Sequence, residues 1–62
     1  MKNKIFIYSK TGNKYVVLGE AEFKHPENRN WINSIMYSPV DNPNKVYVRE
    51  KTEFLDRFKE EE

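Results

Sequence analysis

Tyr47 and Arg49 are the residues of this chain whose types and spacing best suit ligand binding. They lie two positions apart in a segment that alternates as a strand does, so both side chains should project from one face, with Lys45 beside them. An aromatic ring next to a guanidinium group can stack on a planar group or hold a carboxylate or phosphate. Trp31 or Tyr37 could join them from a neighbouring strand. We expect a site for a protein partner or a small anionic ligand at Tyr37, Lys45, Tyr47 and Arg49.

The same residues also have a purely structural interpretation. Tyrosines in a very small barrel mostly fill the core while the hydroxyl group reaches water. Arg49 could then pair with Glu50, Glu53 or Asp56 and close the fold where the strand meets the next segment. The sequence leaves both interpretations open.

Residues suited to catalysis are few. His25 is the single histidine, it lies in a polar loop, and the chain has no cysteine, so a metal site would need carboxylates alone around it. Glycines 12 and 19 do not make a phosphate-binding loop. Glu20 and Glu22 would share a strand face, which is more typical of a solvated surface than of a catalytic pair. The sequence therefore predicts no catalytic residue, no metal and no cofactor.

Four segments alternate or are rich in β-branched and aromatic residues, and turn residues separate them. They predict strands at 4–9, 15–23, 31–38 and 45–49. Gly19 indicates a bulge or bend inside the second strand. The last segment is ambiguous: Thr52 could cap one helical turn over 51–54, followed by more helix or by a short closing strand.

This pattern predicts an all-β fold, a small SH3-like partly open barrel of four or five strands with one short helical turn near the carboxyl end. We expect a single domain over residues 1–62, with a folded part at 4–58 and a frayed tail at 59–62, because three successive glutamates repel one another. The expected core comprises Ile5, Ile7, Tyr15, Val17, Leu18, Ala21, Ile35, Val46, Val48, Phe54 and Phe58.

Charge is nearly balanced but unevenly distributed. Residues 1–14 contain four lysines and no acid, whereas residues 50–62 contain six acids and three bases. Opposite charges at the two ends suggest attraction within or between chains. Ten acids against eleven bases argue against a general binder of nucleic acid. The absence of cysteine and of a long apolar run predicts a cytoplasmic protein without membrane contact.

Two segments resemble motifs of a known family. GNKYVVLGEA, residues 12–21, resembles the G-x-x-Y-x-V-L-G-x-A signature of a small bacterial and phage family, the domain of unknown function 1653. YVREKTEF, residues 47–54, resembles that family's later W-V-R-P-x-x-M-F, and IMYS at 35–38 stands where the family has an apolar A-L-Y element. The resemblance covers residues 8–58.

The chain departs from the family pattern at two places near the second motif. Glu50 replaces the usual proline, and Thr52-Glu53 precede Phe54 where the family tends to have methionine. The loop at 38–44 is also longer than usual. The resemblance implies an SH3-like small β-barrel and a prokaryotic or phage source, and almost no chemistry.

We therefore expect a non-catalytic accessory or binding module of prokaryotic or phage type. A nucleic-acid-binding module is the first alternative. The second is an oligomeric phage-type sponge that sequesters a signalling nucleotide, because a short chain with aromatic strands can form a closed homo-oligomer with ligand pockets between subunits.

Overall fold

The computed structural model describes residues 2–61 and contains five strands and one short helix. In chain order the elements are β1 (Ile5–Tyr8), β2 (Lys14–Lys24), β3 (Trp31–Pro39), β4 (Tyr47–Glu50), α1 (Lys51–Arg57) and β5 (Phe58–Glu60). All strand pairs are antiparallel and form one sheet in the order β4-β3-β2-β1-β5. The expected fold class, an all-β, small SH3-like partly open barrel with a short helix near the carboxyl end, is confirmed.

The connection between the two edge strands shows that the sheet is curled. β4 and β5 lie at opposite ends of the strand order, yet only α1 separates them in the chain. Five strands laid flat would put the edges about 19 Å apart, at roughly 4.8 Å per strand pair. Seven helical residues advance only about 10 Å. The sheet therefore curves until α1 can bridge its edges, and the side between β4 and β5 is the gap of the barrel.

The inner side of the sheet is mainly aromatic. Phe54 and Phe58 stack with ring centroids 4.3 Å apart, and Phe6 packs edge-on against Phe54 at 5.1 Å. The edge-on arrangement is a favourable one for aromatic pairs. Tyr8 and Tyr15 pack against this cluster from the side. The buried hydrophobic residues are Phe6, Val17, Ile35, Tyr37, Phe54 and Phe58.

The expected core is confirmed in part. Val17, Ile35, Phe54 and Phe58 are buried, and Tyr15 packs against them. Ile5, Ile7, Leu18 and Ala21 are only half-buried, and Phe6 takes the central place in β1. Val46 and Val48 are 56% and 51% exposed, so their assignment to the core is wrong. The reason is that β1 and β4 carry apolar residues on both sides, and the inside of the barrel takes the aromatic side.

The carboxyl-terminal segment differs from expectation at its start. Glu50, not Thr52, caps α1: its carboxylate accepts hydrogen bonds from the backbone N–H groups of Thr52 at 2.7 Å and Glu53 at 3.3 Å. These bonds hold the pKa of Glu50 below its ordinary value. After the turn expected at 51–54, both expected alternatives occur in succession: the helix continues to Arg57, and a closing strand follows it.

The expected frayed tail at 59–62 is ordered wherever the structure describes it. Lys59 and Glu60 pair with β1 as part of β5, and the Glu61 N–H donates to the Ile5 carbonyl at 2.8 Å. Ion pairs join Lys4 to Glu60 at 3.3 Å and Lys14 to Glu61 at 2.6 Å. Cationic partners from the amino end thus lie beside the acids that were expected to repel one another. Residue 62 lies outside the described residues.

Candidate functional site

All four tyrosines of the chain line one cavity at the gap of the barrel. The cavity has a volume of about 130 Å³. Each of the five strands contributes one ring to the lining. Tyr8 and Phe58 are direct cross-strand partners, and so are Tyr37 and Tyr47. Partners in an antiparallel pair lie on the same side of a sheet. The cavity is lined by Tyr8, Tyr15, Tyr37, Tyr47, Arg49 and Phe58.

The rings hold one another in a continuous wall. Tyr37 is at the centre, with its ring 5.4 Å from Tyr15, 5.6 Å from Tyr47 and 5.2 Å from Phe58. Tyr15 also meets Tyr47 edge-on at 6.4 Å. These separations lie within the range in which aromatic pairs attract beyond simple burial. The wall is therefore preformed, and Tyr47 leaves 40% of its surface open to solvent.

Arg49 spans the gap where backbone pairing stops. Its Nε donates to the Tyr37 hydroxyl at 2.8 Å, and its Nη1 donates to Glu53 Oε1 at 2.6 Å. The guanidinium carbon lies 5.5 Å from the Tyr8 ring centroid and 5.6 Å from that of Phe58, within the range of cation–π attraction. Arg49 thus joins β4 to the first and last strands, and it also forms one wall of the cavity.

Burial and hydrogen bonding act in opposite directions on Tyr37. Burial raises the pKa of the Tyr37 hydroxyl because it disfavours the phenolate, and the bond from Arg49 offsets only part of this effect. The same hydrogen bond is the main cause that raises the pKa of Arg49. The pair therefore consists of a neutral phenol and a guanidinium cation at physiological pH.

A second hollow of about 470 Å³ continues from the cavity toward the β3–β4 loop, and Tyr15 and Tyr47 line both. We call the cavity and this hollow together the tyrosine groove. Charges of both signs mark its outer end, where Lys45 and Asp41 line the hollow and Lys14 is paired with Glu61. The remaining lining residues of the hollow are Asn13, Pro39 and Asn42.

The structure brings three of the four expected site residues together and places the fourth nearby. Tyr37, Tyr47 and Arg49 surround the cavity, whereas Lys45 lies in the adjoining hollow beside Tyr47. Trp31 does not join them: it is 64% exposed and lines a different hollow of the β2–β3 hairpin.

Three lining residues were not expected at the site, namely Tyr8, Tyr15 and Phe58. No signal for them exists in the sequence. A three-residue turn at 11–13 would put Tyr8 and Tyr15 on opposite faces, whereas the observed register, which pairs Phe6 with Tyr15, brings them to the same side. The position of Phe58 depends on barrel closure.

Residues outside the groove offer little that resembles reaction chemistry. Glu20 accepts a hydrogen bond from Lys51 Nζ at 2.8 Å, which holds the pKa of Glu20 below its ordinary value. Over residues 2–61, no three histidine, cysteine, aspartate or glutamate side chains gather as a metal site would require. In the same range no helix is long and apolar enough to cross a membrane.

The groove combines flat aromatic surface, one guanidinium group and a rim of mixed charge, which together suit non-covalent binding. The resemblance of residues 8–58 to the domain of unknown function 1653 stays a prediction. Protein-family models, curated proteins and solved structures were each compared with the chain, and no match was found among them.

Proposed function

We propose that this chain is a non-catalytic binding module of prokaryotic or phage type, and that its tyrosine groove holds an extended segment of a protein partner. The observation that carries the proposal is the convergence of all four tyrosines and Arg49 on one cavity, which continues into an open hollow.

The chemistry of the wall favours recognition of a polypeptide. Tyrosine offers a large amphipathic contact surface and loses little conformational freedom on binding, because only two side-chain torsions must be fixed. The rings of the groove already hold one another, so little further conformational entropy of these side chains is lost when a ligand binds. The half-exposed ring of Tyr47 presents the accessible part of this surface.

The shape and charges of the groove favour a protein segment over a small anion. The cavity of about 130 Å³ adjoins an open hollow of about 470 Å³, so a ligand can extend along the groove. Two nitrogens of Arg49 are already engaged, by Tyr37 and by Glu53, so an anion would have to compete with a carboxylate. An extended segment of a partner fits these features better than a small anion does. One side chain of the segment would enter the cavity, and its backbone would follow the hollow.

Selection from a displayed library of random short peptides tests the proposal. Peptides enriched on the wild-type protein should bind Tyr47→Ala about tenfold more weakly in a calorimetric titration. Trp31→Ala is the matched control, because it also removes an exposed aromatic ring but from outside the groove. Its affinity should equal that of the wild type.

Two outcomes would contradict the proposal. One is a library without enriched peptides, and the other is a set of peptides that bind Tyr47→Ala as tightly as the wild type. Amide chemical shifts recorded with inorganic phosphate identify the remaining possibility: saturable shifts around Arg49 with phosphate, and none with peptides, would assign the groove to a small anionic ligand.

A further inference from the structure

The two edges of the sheet differ in their protection against pairing with another chain. Along β5 and the residue after it, Lys59, Glu60 and Glu61 are charged, and both glutamates form ion pairs with lysines of the same chain. Along β4 and the residue before it, Val46 is 56% exposed and Val48 is 51% exposed. Natural sheets often protect an edge with charged side chains, and an exposed apolar edge is a template for strand pairing. β4 is therefore the less protected edge.

The charged residues of β4 are already engaged within the fold. Arg49 turns inward, where its guanidinium group is paired with Glu53, so a strand that covered it would not leave its charge without a partner. The Glu50 carboxylate caps α1 by accepting from the first backbone N–H groups of the helix. Neither charge is directed at a strand that approaches the edge.

Main-chain groups of β4 face the gap without a strand to bind. β4 pairs with β3 alone, from the partners Tyr37 and Tyr47 to the partners Ser34 and Glu50. In an antiparallel pair, every second residue directs its N–H and C=O toward the neighbouring strand, and the residues between direct theirs away. Within residues 2–61, no backbone hydrogen bond outside the strands and α1 involves residues 46–50. The gap-facing groups of β4 can therefore pair with a further strand.

The tyrosine groove follows the same strand. Lys45 lines its hollow, Tyr47 lines both the hollow and the cavity, and Arg49 lines the cavity. These three residues stand at alternate positions, which in a strand are about 7 Å apart. An extended segment beside β4 has the same repeat, so its own alternate side chains would face the groove.

We propose that the segment held by the tyrosine groove is a β-strand of the partner, which pairs through its main chain with the free edge of β4. This inference rests on the function proposed above and specifies the conformation of the ligand. In recognition of this kind, main-chain hydrogen bonds supply affinity, and pockets for alternate side chains supply specificity. Here the aromatic cavity is the pocket, and the half-exposed ring of Tyr47 lies between it and the edge of the sheet.

The open part of the gap lies beside residues 46–48. α1 begins at Lys51, and the guanidinium group of Arg49 spans the gap toward β1 and β5. Val48 alternates with Tyr47 and projects to the side away from the groove, so an apolar residue of the partner should face it. We expect a segment that turns one side chain toward the cavity and carries apolar residues at the alternate positions.

Methylation of single backbone nitrogens in a bound peptide tests the proposal. In a peptide enriched on the wild-type protein, each backbone N–H is replaced in turn by N–CH3, and the affinity is measured by calorimetric titration. Methylation at alternate positions should weaken binding about tenfold or more, because only those N–H groups face β4. Methylation at the positions between is the matched control, and it should change the affinity by less than about threefold.

Hydrogen exchange of the protein's own amides provides a second readout. With the peptide at saturation, the gap-facing amides among residues 46–49 should exchange about tenfold or more slowly than in the free protein, because they become hydrogen-bonded. The amides of residues 59–61 on the opposite edge are the control. Their exchange should not change.

Three outcomes would overturn the proposal. Peptides that bind through Tyr47 but tolerate methylation at every position would remove the strand pairing and leave the groove as the binding site. A library without enriched peptides would contradict the proposed function and this inference together. Slow exchange of residues 46–49 that appears without peptide and increases with protein concentration would assign the edge to a second copy of the chain.

Discussion

Arg49 contributes both to the closure of the barrel and to the wall of the candidate site. Its guanidinium group closes the gap between β4 and the rings of Tyr8 and Phe58, where no strand pairing is found in the described part of the chain. The same group forms part of the cavity wall. The sequence posed these roles as alternatives, and the geometry makes the barrel closure and the shape of the candidate site depend on one side chain.

Arg49→Ala should therefore lower stability as well as any binding. The change leaves the Tyr37 hydroxyl without its donor and removes the contacts across the gap, which we expect to cost about 2 kcal/mol. For a domain of this size the melting temperature should fall by roughly 10 °C. Thermal unfolding, monitored by circular dichroism, measures this fall in melting temperature.

Arg57→Ala is the control for the loss of charge near Glu53. In the wild type, Arg57 Nε is 3.9 Å from the Glu53 oxygen that Arg49 also contacts, and the Arg57 side chain is 54% exposed. Exposed pairs of this kind contribute about 0–1 kcal/mol. If both variants melt alike, the role of Arg49 in closing the barrel is refuted.

Tyr37 should make the fold sensitive to high pH. Because burial raises its pKa in the folded state, the unfolded chain loses this proton first. The stability contribution is complete below the unfolded value of about 10, and it is lost as pH rises from there through the folded pKa. Urea unfolding at several alkaline pH values should show a shallower decline for Tyr37→Phe than for the wild type. Parallel declines would contradict this assignment.

At the scale of the elements, alternation predicted where the strands lie but not which side faces inward. Strand positions follow from local patterns, and all four expected strands are present. Val48 and Tyr47 alternate on an edge strand, and either could have been buried. The choice depends on which set of side chains fills the barrel, and in this protein seven aromatic rings fill it. A short closing strand was one of two alternatives for the last segment, and the sequence could not decide for β5 because its three residues gain order only from pairing with β1.

The candidate site was predictable to the same extent. Tyr47 and Arg49 could be placed on one face because they share a strand, and Tyr37 because its strand is adjacent. Tyr8 and Phe58 reach the site only because the sheet curls until its edges meet at α1. Local sequence patterns carry no information on that curvature.

The two glycines allow a matched test of the turn that follows β1. Gly12 has φ +79°, where a side chain is strained, and no atom lies within 4 Å of an added Cβ. Gly12→Ala should cost about 1 kcal/mol, and Gly12→Asn less, because asparagine tolerates this conformation. Gly19→Ala should change stability by less than about 0.5 kcal/mol, because its Cβ would make an ordinary contact with Met36. Urea unfolding measures all three. Equal costs for the two alanine variants would contradict this account of the turn.

At the scale of the whole molecule, the described end segments form a pair that completes the barrel. β5 is hydrogen-bonded to β1 alone, and it carries Phe58 into the core. A chain of this length has a free energy of unfolding of about 3–9 kcal/mol, so the loss of one strand pair is a large fraction of the total.

Deletion of residues 59–62 should therefore destabilise the protein strongly. It removes the partners of Phe6 and Ile7, and we expect a loss of about 2–5 kcal/mol from the missing backbone hydrogen bonds. The double substitution Glu60→Gln and Glu61→Gln keeps the backbone and removes only exposed ion pairs, so it should cost less than about 1 kcal/mol per pair. The urea concentrations at the midpoints of unfolding compare the stability of the deletion variant with that of the double variant. A deletion variant as stable as the full chain would show that the β1–β5 pairing contributes nothing.

The β1–β5 pairing also has a consequence for the order of folding. Phe6 and Glu60 are 54 positions apart, whereas β1 to β4 are joined in succession by short loops. Closing so long a loop loses the most chain entropy, so the four strands β1–β4 should form first and β5 should join them last. Phe58 arrives only with that final step. A chain that has folded four strands would therefore hold all four tyrosines on one side of the sheet and still lack the Phe58 wall of the cavity, and a ligand of the groove would bind only the chain that has finished folding.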